Sequence, residues 1–129
     1  MTARHVLTIL AVSELARARR FYGEAFGWAE LVVAPVYVEF ALPGGMRLGL
    51  YQREHFGATA GAVAALVQPP QCTGAELYLQ VERLDDALAC VLAAGARLLS
   101  EAAPRDWGER VAYAVDPDGN VLALAQAGG

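Results

Sequence analysis

Pro43-Gly44-Gly45-Met46-Arg47-Leu48-Gly49-Leu50 and Pro117-Asp118-Gly119-Asn120-Val121-Leu122-Ala123-Leu124 share one pattern, Pro-x-Gly-x-x-Leu-x-Leu. In each copy a turn built from Pro and Gly runs into a strand whose leucines alternate, so that one face is apolar and the other is free to vary. Such a repeat within one chain predicts a duplicated unit. Working outward, the order of elements before each copy also repeats. Val12 and Leu15 correspond to Val81 and Leu84, at the junction of a strand and a helix.

In the first half, His5–Val12 reads as a strand. Ser13 is placed to cap a helix, whose apolar stripe is Leu15, Ala18, Tyr22, Ala25 and Phe26, with Arg17, Arg19 and Arg20 mostly off it and Gly27 as its stop. Residues 28–34, 36–42 and 46–51 read as three strands. In the second half, Glu76–Val81 is a strand and Leu84, Ala87, Leu88, Val91 and Leu92 form a helical stripe ending at Gly95. Residues 97–100, 109–115 and 120–126 follow as strands. The expected architecture is α+β, with two βαβββ units: unit one over 5–52, a linker over 53–74 and unit two over 75–127. Within the linker, Gln68-Pro69-Pro70-Gln71 blocks regular structure, and residues 62–67 are expected to form a short helix or a flap.

Composition narrows the function. The chain has 129 residues, 56% hydrophobic and 19% charged, with a formal net charge of −4 and no lysine. That excludes a disordered chain and disfavours binding to a phosphate backbone, so no nucleic-acid partner is expected. No apolar run is long enough to span a membrane. Cys72 and Cys90 match no metal or redox motif, and Cys90 falls on what reads as a buried helix face; both are expected to be free thiols in a reducing cytoplasm.

The βαβββ duplication, the Phe21-Tyr22…Gly27-Trp28 end of the first helix and the Asp116–Asn120 turn resemble, over nearly the whole chain, the vicinal oxygen chelate superfamily of glyoxalases, bleomycin-resistance proteins and ring-cleaving dioxygenases. The resemblance implies a curved, cup-shaped mixed sheet with helices on its convex face, a site on the concave face, and a homodimer. It also implies four metal-ligand positions, which fall on Leu7, Gly49, Glu76 and Ala123. Leu, Gly and Ala carry no donor atoms, so a cofactor-free protein is expected. The alternative is a divalent metal held by His5 and Glu76; His5 shares the Leu7 face but lies about 6.6 Å along the strand.

Strand alternation then gives the ligand-binding set expected in the cup: Leu7, Ile9, Arg47, Gly49, Tyr51, Glu76, Tyr78, Gln80 and Ala123, with Trp107 and Arg110 from the rim. Gly49 and Ala123 are expected to leave room for the ligand. Tyr37 and Glu39 share a face whose direction the sequence leaves open. Two functions follow. One is a small-molecule-binding protein of the bleomycin-resistance type, sequestering an aromatic or cationic ligand without metal. The other is a glyoxalase-like lyase or isomerase, or a dioxygenase, with an atypical metal site or with Glu76 as general base in an apolar cup.

Overall fold

The computed structural model describes residues 2–127 and contains eleven elements: β1 (Leu7–Val12), α1 (Leu15–Phe26), β2 (Ala29–Val33), β3 (Tyr37–Ala41), β4 (Arg47–Gln52), α2 (Arg53–Ala60), β5 (Glu76–Gln80), α3 (Leu84–Ala94), β6 (Arg97–Pro104), β7 (Glu109–Val115) and β8 (Val121–Ala127). They form two compact units. Unit 1 holds residues 2–23 and 27–66; unit 2 holds residues 24–26 and 67–127. Each unit has an open four-stranded mixed sheet, ordered β1-β4-β3-β2 in the first and β5-β8-β7-β6 in the second. In both, the first strand runs parallel to the last and the remaining pairs are antiparallel. The duplicated βαβββ order expected from the repeat is therefore present.

In unit 1 the alternation of β1, β3 and β4 separates two faces. Leu10, Val12, Val38, Phe40, Leu48 and Leu50 are buried on one. The other carries Leu7, Ile9, Tyr37, Glu39, Arg47, Gly49 and Tyr51, brought side by side by the Leu7↔Arg47, Ile9↔Gly49, Glu39↔Gly49 and Tyr37↔Tyr51 pairings. In unit 2, Leu84 and Val91 of α3 pack with Ala112, Ala114 and Leu124 on one sheet face. The opposite face carries Glu76, Tyr78 and Gln80 beside Val121, Ala123 and Ala125, then Tyr113, Val111 and Glu109.

Both helices that follow a parallel strand start in the same way. The first amide of α1, Leu15 N–H, donates to Gln52 Oε1 at 3.0 Å. The first amide of α3, Leu84 N–H, donates to Gln126 Oε1 at 2.7 Å. Gln52 and Gln126 each stand two residues past the last leucine of the repeat. A glutamine from the neighbouring strand thus satisfies an orphan helix amide that a local cap would otherwise take. Ser13 does not act as the expected cap: the residue before α1 is Glu14, without a side-chain cap bond, and Ser13 Oγ accepts from Arg17 at 2.8 Å.

Four further expectations are corrected. Of the two forms expected for residues 62–67 the helix is absent, since the segment is neither helix nor strand; the linker's helix spans Arg53–Ala60 instead. β1 begins at Leu7, leaving His5 before the strand. β6 runs to Pro104 rather than Ser100, because two register shifts against β7 carry the hairpin past the point where its pattern breaks. Cys90 is exposed, as is Cys72, and both are free.

Candidate functional site

In unit 2, polar side chains converge on the sheet face opposite α3. Tyr78, from β5, donates its hydroxyl hydrogen in a short bond to Glu109 Oε1 at the start of β7. Trp107, in the turn between β6 and β7, donates its indole N–H to Tyr78 Oη at 2.8 Å. The result is a directed chain, Trp107 to Tyr78 to Glu109, with two aromatic rings left in the open: Trp107 is 56% and Tyr78 42% exposed. The bond to Glu109 pushes the Tyr78 phenol above its ordinary pKa, aided by desolvation and opposed by the Trp107 donor. Beside Glu109 lies a cleft of about 490 Å³ lined by Gln80, Val81, Glu82, Glu109, Ala125, Gln126 and Ala127. Its two carboxylates, with no basic residue among the lining, make it acidic. Alongside, Val111, Ala123 and Ala125 are buried together with half-buried Tyr113, over whose ring Arg105 sits at 5.2 Å.

In unit 1, Glu39 is only 6% exposed. Its carboxylate accepts from Tyr37 Oη at 2.6 Å and from Arg47 Nη1 at 3.0 Å. Both oxygens are thus satisfied, as a buried charge requires. Burial, then the bond to the Glu39 carboxylate, pushes the Tyr37 phenol far above its ordinary value. Tyr37 and Tyr51 meet edge to face at 5.5 Å, and Tyr51 meets Phe56 of α2 at 6.2 Å. The Tyr51 hydroxyl hydrogen-bonds Thr59 at 3.0 Å.

The structure sorts the residues expected from the sequence. Leu7, Ile9, Arg47, Gly49 and Tyr51 share one face of unit 1; Glu76, Tyr78, Gln80 and Ala123 share one face of unit 2. Trp107 joins Tyr78. Arg110 does not join them: it pairs with Gln126 on the α3 side of β7 and borders a separate cleft with Glu82, Arg83, Asp85 and Asp86. The room expected over Gly49 and Ala123 is absent. Ala123 is fully buried, and the Tyr37 ring covers Gly49 so closely that a Cβ there would lie 2.7 Å from Tyr37 Cε1. Glu76 is exposed rather than set in an apolar enclosure, and among the described residues it has no hydrogen-bond or ion-pair partner.

Sequence reasoning missed Glu109 and left Glu39 unplaced. Alternation along β7 puts Glu109, not Arg110, on the face of Tyr113, and the pairing of β3 with β4 brings Glu39 to Arg47.

A family metal does not fit these residues. Three of the four implied positions lack donor atoms, and the Tyr37 ring occupies the space a ligand at residue 49 would need. His5 is exposed and hydrogen-bonds Thr8 at 3.0 Å. Among the described residues no three His, Cys, Asp or Glu side chains converge as a metal-binding group.

The sequence profile of the glyoxalase-like domain matches residues 7–125. No curated protein matches the sequence. Among solved structures, the fold is similar to a glyoxalase-related enzyme from Fulvimarina pelagi, at TM-score 0.84 and 23% identity over 97% of this chain and 88% of that one. It is similar to a glyoxalase/bleomycin resistance protein/dioxygenase from Nocardioides, at TM-score 0.81 and 21% identity over 99% and 85%. It is also similar to protein ATC0852 from Agrobacterium tumefaciens, at TM-score 0.79 and 27% identity over the full length of both chains. Among the described residues no helix is long and apolar enough to cross a membrane.

Proposed function

Because the chain belongs to the glyoxalase-like domain family, whose fold serves several chemistries, we propose a function that its own side chains favour. It is a binding protein of the bleomycin-resistance type, sequestering a planar, cationic organic molecule without metal. The ligand-binding groups are Trp107, Tyr78 and Glu109 of unit 2, with Gln80 and Glu82 in the adjoining cleft and Glu76 on the same sheet face.

The observation that carries this reading is the Trp107–Tyr78–Glu109 chain. Two exposed rings, oriented by hydrogen bonds, offer π faces to a flat cation, each contact worth about 0.5–2 kcal/mol. The carboxylates of Glu109 and Glu82 supply the opposite charge. Fixing the rings before the ligand arrives lowers the ordering cost of binding. Catalysis by Glu76 finds less support, since an exposed carboxylate with no acid–base partner lacks the companion group that proton transfer requires.

The test is calorimetric titration with N-methylacridinium. Wild type binds with a stoichiometry of one per chain, Glu109→Gln and Trp107→Ala each weaken binding, and Glu76→Gln has at most a small effect. Equal affinity for uncharged acridine, or wild-type affinity in Glu109→Gln, contradicts the proposal.

A further inference from the structure

We propose that Arg105 is the positioning residue of the unit 2 site: its guanidinium holds the turn that presents Trp107. The inference rests on the binding role proposed above and adds a residue outside the binding groups. Trp107 needs such support. It lies 56% exposed in the turn 105–108 between β6 and β7, and among the described residues its side chain has one hydrogen bond, to Tyr78. Two backbone bonds close the turn, from Arg105 N–H to Glu109 O at 2.8 Å and from Gly108 N–H to Arg105 O at 3.1 Å. Neither reaches past the first residue of β7.

The Arg105 side chain ties that turn to the hairpin below it. Between the pairs Ser100↔Tyr113 and Ala103↔Val111, β6 advances three residues while β7 advances two. Such a bulge disrupts the ladder locally, and the guanidinium fills it. Nη2 donates to Glu101 O and Ser100 Oγ, each at 3.1 Å, and to Val111 O at 2.9 Å; Nε donates to Val111 O at 3.3 Å. Cζ lies over the Tyr113 ring, 5.2 Å from its centre. One planar fork thus bonds both strands and stacks on a ring of β7, which a lysine ammonium cannot do. All of these partners lie in unit 2. Trp107 and Glu109 stand two and four residues after this anchor, so it sets both the ring and the carboxylate against Tyr78. By charge alone Arg105 would repel a cationic ligand. Its contribution to binding is geometric, and the two effects have opposite signs.

The experiment uses the full chain carrying Trp28→Phe, in which Trp107 is the one tryptophan left. Without ligand, Trp107 fluorescence anisotropy and the exchange of its indole N–H with water in ¹⁵N NMR report how firmly the ring is held. Calorimetric titration with N-methylacridinium then reports binding. Arg105→Gln should lower the anisotropy, speed the exchange and weaken binding about tenfold. The β5 and β8 amide signals should stay in place, which separates release of the turn from loosening of the sheet. Arg105→Lys keeps the charge and loses the fork; it should change all three readouts in the same direction, and serves alone if Arg105→Gln fails to fold. A charge effect alone predicts tighter binding in Arg105→Gln and no change in Arg105→Lys. Unchanged anisotropy and exchange in the folded variants, affinity at or above the parent's, or β5 and β8 amides that shift as far as those of the turn each overturns the proposal. If N-methylacridinium does not bind the parent, the binding role falls, while the ligand-free measurements still decide whether Arg105 positions Trp107.

Discussion

The aromatic ring of Tyr37 stands over the α-carbon of Gly49, so close that a Cβ at residue 49 would lie 2.7 Å from Cε1 and 2.8 Å from Cζ. Gly49 needs no unusual backbone angle; it is required by what lies above it. Gly49→Ala should therefore destabilise the protein by about 1–3 kcal/mol through overpacking. In a Tyr37→Ala background the added methyl meets no ring, and its cost should largely vanish. Chemical denaturation of the four proteins in this cycle measures the coupling; a coupling near zero contradicts the packing described.

Tyr37 also gives a signature at high pH. Burial first, then the bond to Glu39, raises its phenol pKa. A phenol whose pKa is higher folded than unfolded stabilises the fold fully below the unfolded value near about 10. That stability is lost as pH rises beyond it, because the unfolded chain then releases a proton that the native chain retains. Ultraviolet titration should show a phenol that resists ionisation well above the ordinary range and is missing in Tyr37→Phe. The alkaline fall in stability should be shallower in that variant. Tyr78, raised by its bond to Glu109, should titrate lower in Glu109→Gln.

The two strand glutamines make equivalent contacts at equivalent places. Gln126→Ala should cost about 0.5–2 kcal/mol, the usual loss when a helix N-terminal amide loses its acceptor. Gln126→Glu keeps the acceptor and places a negative charge at the positive end of α3, so it should remain near wild type. Thermal unfolding distinguishes the two; equal losses would mean that packing, not the hydrogen bond, sets the effect.

The duplicated architecture was legible because it is written locally. Leucine alternation after each Pro-x-Gly turn, the helical stripes and the Gly27 and Gly95 stops lie within short windows. The helix ends were less so: Ser13 has the chemistry of a cap, but the Leu15 amide is taken by Gln52, 37 residues beyond Leu15. The face of Tyr78 and Gln80 followed from period two, whereas its link to Glu109 spans 31 residues and depends on β-strand register. Arg110 reads with the rim loop in the sequence, where alternation gives no direction; strand parity places it on the α3 side and Glu109, one residue earlier, on the face of Tyr113. The open space expected at Gly49 was filled by Tyr37, from a strand whose facing the sequence left undecided.

The donor chemistry at Leu7, Gly49 and Ala123 gives a further prediction. Protein purified without chelator should hold no stoichiometric zinc, nickel, manganese or iron by elemental mass spectrometry, and its unfolding temperature should not rise when these ions are added. Stoichiometric metal lost in Glu76→Gln would contradict the reading and redirect attention to His5 and Glu76.

The central claim concerns the rings and carboxylate of unit 2, and Trp107 can report on it directly. In a Trp28→Phe variant, Trp107 is the sole tryptophan, since the chain has two. Titrating that variant with N-methylacridinium should quench its fluorescence saturably, at one ligand per chain. The quenching should weaken with added salt and be reduced in Glu109→Gln. Fluorescence that falls only linearly with ligand concentration, or falls equally with Glu109 neutralised, would contradict the account.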